Sequence, residues 1–377
     1  MYNTKPAAMR LALALLVLSA AIGAEDVQTV FTPDEMAACT RLRSPSIMRN
    51  ENTGRVHFLA RCCGKNRCSQ KKSTAITMNN LGDDDGDARV VIKTSDDEGR
   101  TWNAMQFISP ENQTGFSKGA ALYDRVRNRL VVQYQYLPGG VTDPTVNTTY
   151  FQVFSETDGM TWSTPVDITS QLRACNPDPG NMMCQSAGSK TQTASGRLLW
   201  AAHDHTNRVC LWWSDDGGET YNTTTLMQGN EISVAVAGGS GRILMSGRGQ
   251  SFPWKPYRTQ YWSDDDGATW GAPEQAPFKD DGGFGGVEAA LANVDGVMYF
   301  AEPTGADRTS MKVWCSIDGG KSWPFNTSLN GNGHGGYSAI VGIDKTHLVI
   351  VWEDGGKSGN DNMYSVRMDT SSWCKQN

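Results

Sequence analysis

Beyond its first two dozen residues the chain contains no long apolar run and no stretch of helical periodicity. The first absence leaves nothing else that would cross a bilayer as a helix, so no stable membrane insertion is expected. The second argues against a helical fold. Positive charge is also in short supply: 34 Lys and Arg face 40 Asp and Glu, a net charge of −6. With no basic excess, no nucleic-acid partner is expected. That balance does not weigh on a small anionic ligand, which a local cluster of cations would hold. Metal spacing is missing as well. Cys62, Cys63 and Cys68 have no second pair and no histidine at zinc intervals, and His203 and His205 read as polar residues at a strand end. In the acidic run 83–87, Asp83, Asp85 and Asp87 fit positions 1, 3 and 5 of a calcium loop, but Thr94 stands where the bidentate Glu belongs. No metal site is expected.

The one apolar stretch, residues 9–24 (MRLALALLVLSAAIGA), follows Lys5 and contains Arg10. Its core from Leu11 to Ala21 is too short to span a bilayer, and Ala21, Gly23 and Ala24 offer a cleavage site before Glu25. Residues 1–24 therefore read as a signal peptide and the protein as secreted. Nine cysteines fit an oxidising compartment. A Cys175–Cys184 bridge would close a short loop, other pairings stay open, and the odd count leaves one cysteine unpaired or joined to another chain. Sequons at Asn112, Asn147, Asn222 and Asn326 fit surface loops of a secreted glycoprotein.

What is abundant is a repeat. TSDDEGRTW at 94–102 fits S-x-D-x-G-x-T-W, with Ser95, Asp97, Gly99, Thr101 and Trp102. SETDGMTW (155–162), SDDGGETY (214–221), SDDDGATW (263–270) and SIDGGKSW (316–323) repeat it, with Thr157 replacing the acid in the second copy. The closing aromatics fall at 102, 162, 221, 270 and 323, the period of a propeller blade. Each copy reads as a hairpin turn. Ser and Asp accept backbone N–H groups, Gly takes positive φ, and the aromatic packs the turn onto the blade. A four-stranded blade cannot bury both faces alone, so blades stack around an axis. The expectation is an all-β, six-bladed β-propeller of four-stranded antiparallel blades over 41–377. Residues 25–40 would be a linker or a strand that closes the ring.

The repeat resembles the Asp box of sialidases and related propellers, where it is structural and lies away from the chemistry. The resemblance sharpens at six positions. Arg43-Ser44-Pro45 is similar to the family's opening Arg-x-Pro, which implies that Arg43 is the first of an arginine triad. Arg248 in MSGRG and Arg308 in GADRTS stand where the second and third stand. Tyr337 in GYSAI resembles the family's tyrosine nucleophile, Glu231 in GNE its glutamate partner, and Glu353 in VWE the carboxylate that holds the first arginine. Arg61 in FLARC fits an additional arginine. The acid/base is implied to be an Asp about eleven residues before the first box Ser. That is Asp84, with Asp85 the competitor, in Asp84-Asp85-Gly86-Asp87.

These residue types suit an exo-sialidase (exo-α-neuraminidase). Guanidiniums bind the sugar carboxylate in a fork geometry. A phenol deprotonated by a glutamate avoids the repulsion that a carboxylate nucleophile would meet. The implied partners are sialylated glycans, acted on by a monomer without cofactor or metal. Two other readings stand beside it: a sialic-acid-binding propeller without turnover, and a glycosidase or trans-glycosidase on a related acidic sugar. The usual Asn-Pro of the second blade is here Ser117-Lys118-Gly119, which points to a different pocket.

Overall fold

In Val56–Cys63 (VHFLARCC) every residue is buried. A strand covered on both faces needs a neighbour on each side, and the fold supplies them. A computed structural model describes residues 26–39, 41–63, 88–111, 113, 116–138, 148–175, 183–204, 206–249, 256–279, 286–353 and 362–375. They form six antiparallel sheets of four strands, the third with a short additional strand at Met227–Gln228. The inner strands are Arg41–Arg49, Phe116–Asp124, Met183–Gln192, Ile232–Val236, Ala290–Val294 and Ser338–Gly342. Each contacts the inner strand of the next blade, and the sixth contacts the first. The chain is a six-bladed β-propeller, as its repeat predicts. Blade 6 takes its outermost strand, Gln28–Thr29, from the other end of the chain, paired with Met363–Asp369.

There is no single central core. Six apolar clusters occupy the six seams between blades. Along Leu198–Asp204, Leu198, Trp200 and Ala202 face blade 2, while Leu199 and Ala201 face blade 4. The period-2 pleat thus feeds two seams from one strand. The box aromatics Trp102, Trp162, Tyr221, Trp270 and Trp323 each pack against one cluster. Each box forms the turn its residues dictate. Ser95 Oγ accepts from Gly99 N at 2.8 Å, and Asp97 accepts from Thr101 N at 2.8 Å and Thr101 Oγ1 at 2.6 Å. The box glycines have φ between 82° and 100°. In the second copy Thr157 Oγ1 accepts from Thr161 N at 2.8 Å, so a hydroxyl does the work of the missing carboxylate.

Three disulfides have both cysteines among the described residues: Cys39–Cys62, Cys175–Cys210 and Cys315–Cys374. Cys63 is disulfide-bonded as well. The expected Cys175–Cys184 bridge is therefore incorrect. The turn Thr169–Leu172 lays Cys175 against the strand Arg208–Ser214, 5.4 Å from Cys210 between Cα atoms. The segment expected as a linker carries a short helix, Pro33–Ala38, with a Thr32/Glu35 capping box and Pro33 at its start. The expected signal peptide lies outside the described residues.

Candidate active site

In a blade the inner strand starts where the second strand ends, so those positions from all blades share one end of the axis. Cross-strand register places the candidates there. Arg43 pairs with Arg61. Ile232 pairs with Gly247, which sets Glu231 beside Arg248, and Ser338 pairs with Trp352, which sets Tyr337 beside Glu353. Arg308 enters from the second hairpin of blade 5, just before Thr309–Ser316. The box serines pair at the opposite end, Ser95 with Val56 for example.

The side chains converge on Tyr337. Its hydroxyl donates to Glu231 Oε1, and Arg248 Nη1 donates to Glu231 Oε2 at 2.7 Å. The guanidinium carbons of Arg43 and Arg308 each lie 5.5 Å from the Tyr337 ring centre. Glu353 holds Arg43 Nε at 3.0 Å and accepts from Ser44 N at 2.6 Å. The Arg-x-Pro motif makes this geometry. A bulge between Arg43 and Ser46 puts Ser44 at φ 57°, turning its N–H toward Glu353. Glu231 at φ 30° and Arg308 at φ 60° are also left-handed. Such backbone costs about 1–3 kcal/mol per residue and tends to gather at functional sites.

Electrostatics separate the roles of the central pair. Burial would push Glu231 up, but Arg248 and then Lys118 hold it well below the usual carboxylate range. Burial pushes the Tyr337 phenol up, and the Glu231 charge adds to this against Arg248, Arg308 and Lys118. The resting pair is therefore a neutral phenol donating to a carboxylate that is ready to take its proton.

Arg43, Arg248, Arg308, Tyr337, Glu231 and Glu353 meet in this one basin, and Arg61 lies opposite Arg43 in the register of blade 1. Asp84 and Asp85 lie outside the described residues. Two buried residues join the basin: Lys118, which sequence reading named only as part of the 117–119 departure from Asn-Pro, and Glu288, which it did not name. Lys118 Nζ stands 5.4 Å from the Tyr337 ring centre and 2.8 Å from Glu288 Oε2. Glu288 Oε1 also accepts from Gly188 N at 2.9 Å. His203 is within electrostatic reach of Glu231. A signal for the first two was present: Lys118 and Glu288 are charged residues in the otherwise small and apolar runs FSKGAA and GVEAALA, where two inner strands begin.

The BNR repeat-like domain family matches residues 73–350, well over half of the sequence. The chain belongs to that family. This BNR-repeat chain is 26% identical over 303 residues to a sialidase of Bacteroides fragilis (strain YCH46), across 70% of the chain and 54% of the relative. It thus spans about half the length of that relative. Its fold is similar to the Hadza microbial sialidase Hz136, with a TM-score of 0.71, 20% identity, and 93% of this chain and 69% of the other covered. It is also similar to the intramolecular trans-sialidase from Ruminococcus gnavus solved with oseltamivir carboxylate, with a TM-score of 0.74, 13% identity, and 92% and 98% covered. These likenesses bear out the resemblance to sialidases at the level of family and fold.

Proposed function

We propose that this protein is an exo-sialidase that hydrolyses terminal α-linked sialic acids from glycoconjugates with retention of anomeric configuration. The observation that carries this reading is the Tyr337–Glu231 hydrogen bond set among Arg43, Arg248 and Arg308. A site that only bound an acidic sugar would need the arginines but not a phenol aimed at a buried carboxylate. The guanidiniums receive the substrate carboxylate and fix the anomeric carbon over the phenol. Tyr337 Oη forms a bond to that carbon as its proton passes to Glu231, while the bond to the leaving oxygen breaks. The leaving oxygen takes its proton from a carboxylic acid, for which Asp84 and Asp85 are the candidates. Water then attacks the anomeric carbon from the face the leaving oxygen left, giving a proton to the conjugate base of that acid, while the bond to Tyr337 Oη breaks and the phenol recovers its proton from Glu231. The disulfides among the described residues support export to an oxidising compartment.

The test is hydrolysis of a fluorogenic sialoside with the product anomer followed by NMR. Tyr337→Phe keeps the ring, deletes the nucleophile and should abolish turnover. Glu231→Gln should lower kcat about 10²–10⁴-fold. An inverted product, or a Tyr337→Phe variant of unchanged rate, would refute the mechanism.

A further inference from the structure

The site holds a charged pair that carboxylate binding does not require. Lys118 is nearly fully buried at the start of the inner strand of blade 2, behind the Tyr337 ring. Its ammonium is fixed by Glu288, itself buried and anchored through its other oxygen to Gly188 N. The segment carrying Glu288 is braced in turn: Arg258 Nη1 donates to Val287 O at 2.9 Å, and Arg308 Nη2 approaches Gly286 O at 3.4 Å. Glu288 is held at both oxygens and Lys118 is buried against it. They set a field at a fixed point.

The groups sharing that field come from every blade that reaches the axis. Glu288 leads into the inner strand of blade 5, Glu231 into that of blade 4 and Tyr337 into that of blade 6. Blade 3 contributes Lys190, whose ammonium burial lowers to about 8 against the Glu288 charge, and His203. Arg248 and Arg308 flank the phenol from its other sides, and Arg43 with its neighbours Arg61 and Glu353 closes the ring from blades 1 and 6. Glu231 and Glu288 both feel Lys118 as a stabilising cation, and burial holds Glu288 above the usual carboxylate range.

We propose that Lys118 is a positioning residue for the nucleophile: anchored by Glu288, its ammonium is the fixed charge that keeps the Tyr337–Glu231 pair in its singly protonated, attacking form. The inference rests on the reading of Tyr337 as nucleophile and Glu231 as its base. A pair carrying one proton carries one negative charge wherever that proton sits, so a nearby cation opposes uptake of a second proton. Removing the cation should let the pair fill at higher pH. Removing Glu288, which offsets that cation, should do the reverse.

The acid limb of kcat/KM against pH reads this directly. In Lys118→Met it is expected to move up by about one pH unit, a tenfold loss on that limb. Lys118→Arg, which keeps the charge, should stay near wild type, and Glu288→Gln should move the limb down. Misfolding lowers activity at every pH and does not move one limb in opposite directions in two variants. An unmoved limb in Lys118→Met, or equal limbs in Lys118→Met and Lys118→Arg, would overturn the proposal. If Lys118→Met does not fold, Glu288→Gln decides alone: a downward shift supports the proposal, and an unmoved or upward one ends it. If wild type releases nothing from any sialoside, the functional reading fails but this inference is still decided. The Cζ resonance of carbon-13-labelled Tyr337, assigned by its loss in Tyr337→Phe, reports Glu231 protonation through their hydrogen bond. Its step should occur at higher pH in Lys118→Met than in wild type, and an unmoved step overturns the proposal.

Discussion

Asp158 sits one residue after the Thr that replaces the box acid in blade 2, and it grips blade 1. It accepts from Asn50 Nδ2 at 2.8 Å, Thr53 Oγ1 at 2.8 Å and the buried His57 Nε2 at 2.9 Å. Burial would raise its pKa, but these hydrogen bonds hold it at about 2 against an ordinary 3.8. A depressed carboxylate stabilises the fold above its unfolded pKa, and that stabilisation fades as pH falls from 3.8 toward 2. Asp158→Asn should therefore cost about 2 kcal/mol at pH 7 in urea melts, with the difference shrinking toward pH 3. An equal difference at both pH values would mean that the charge is irrelevant. At this scale the sequence was legible where residue type and chemistry match one to one: three arginines, a Tyr, a Glu and a holding carboxylate, each at a strand end. The pairing of Lys118 with Glu288 was not legible, because each looks like an isolated charge in its own run. They are 170 residues apart, and only ring closure makes them a pair.

The Asp box is the readable half of a larger hairpin device. In five blades the residue paired with the box Ser is apolar: Val56, Leu130, Leu198, Ile243 and Met298. Two positions before each stands a left-handed residue, Gly54, Asn128, Gly196, Gly241 or Gly296, that turns the first hairpin. Between them lies Arg55, Arg129, Arg197, Arg242 or, in blade 5, Val297. The arginine stacks over the aromatic preceding the box Ser, Phe154 at 3.9 Å, Trp213 at 5.1 Å and Trp262 at 4.6 Å in blades 2 to 4. In blades 1, 3 and 4 it also bonds the acid that follows that Ser: Asp96 at 2.6 Å, Asp215 at 2.7 Å and Asp264 at 2.5 Å. Blade 5 changes all three positions together, to Val297, Cys315 and Ile317. The Gly/Asn-Arg-apolar triplet recurs in the sequence as clearly as the box, yet its meaning requires the register that lays the arginine across the blade. Installing the missing pair tests this. Val297→Arg and Ile317→Asp should couple favourably by about 0.5 kcal/mol in a double-mutant cycle of thermal or urea unfolding. A coupling of zero would show that the arginine and acid are neighbours without interaction.

The whole ring matters because the site straddles its closing seam. Arg43 belongs to blade 1, while Glu353 and Tyr337 belong to blade 6. The same seam is crossed at the far end by Trp102 Nε1 to Ser365 Oγ at 3.1 Å and Arg367 Nη2 to Glu98 at 2.9 Å. Five of the six blades were legible from the boxes, since each box closes one blade, and the sixth from the strand-rich runs that follow the last box. The capping helix Pro33–Ala38 was not, although Thr-Pro-Asp-Glu is a capping signature, because a six-residue helix has no apolar period to announce it. That N-terminal segment wedges Phe31 into the seam, edge-on to Phe58 at 5.9 Å and beneath the Lys93 ammonium at 5.0 Å. Phe31→Ala should cost about 3–5 kcal/mol. Leu198→Ala, at the equally buried seam between blades 2 and 3, should cost about 2–5 kcal/mol. No member of the arginine triad or of the Tyr337–Glu231 pair lies on either side of that second seam. If the closing seam opens first in the Phe31 variant, Arg43 parts from Tyr337 while the other blades stay folded. Sialoside hydrolysis should then fail at lower urea than circular dichroism does, whereas the two should fail together in Leu198→Ala. Coincident loss in both variants would mean that the ring opens as one cooperative unit and that its closing seam has no special hold on the site.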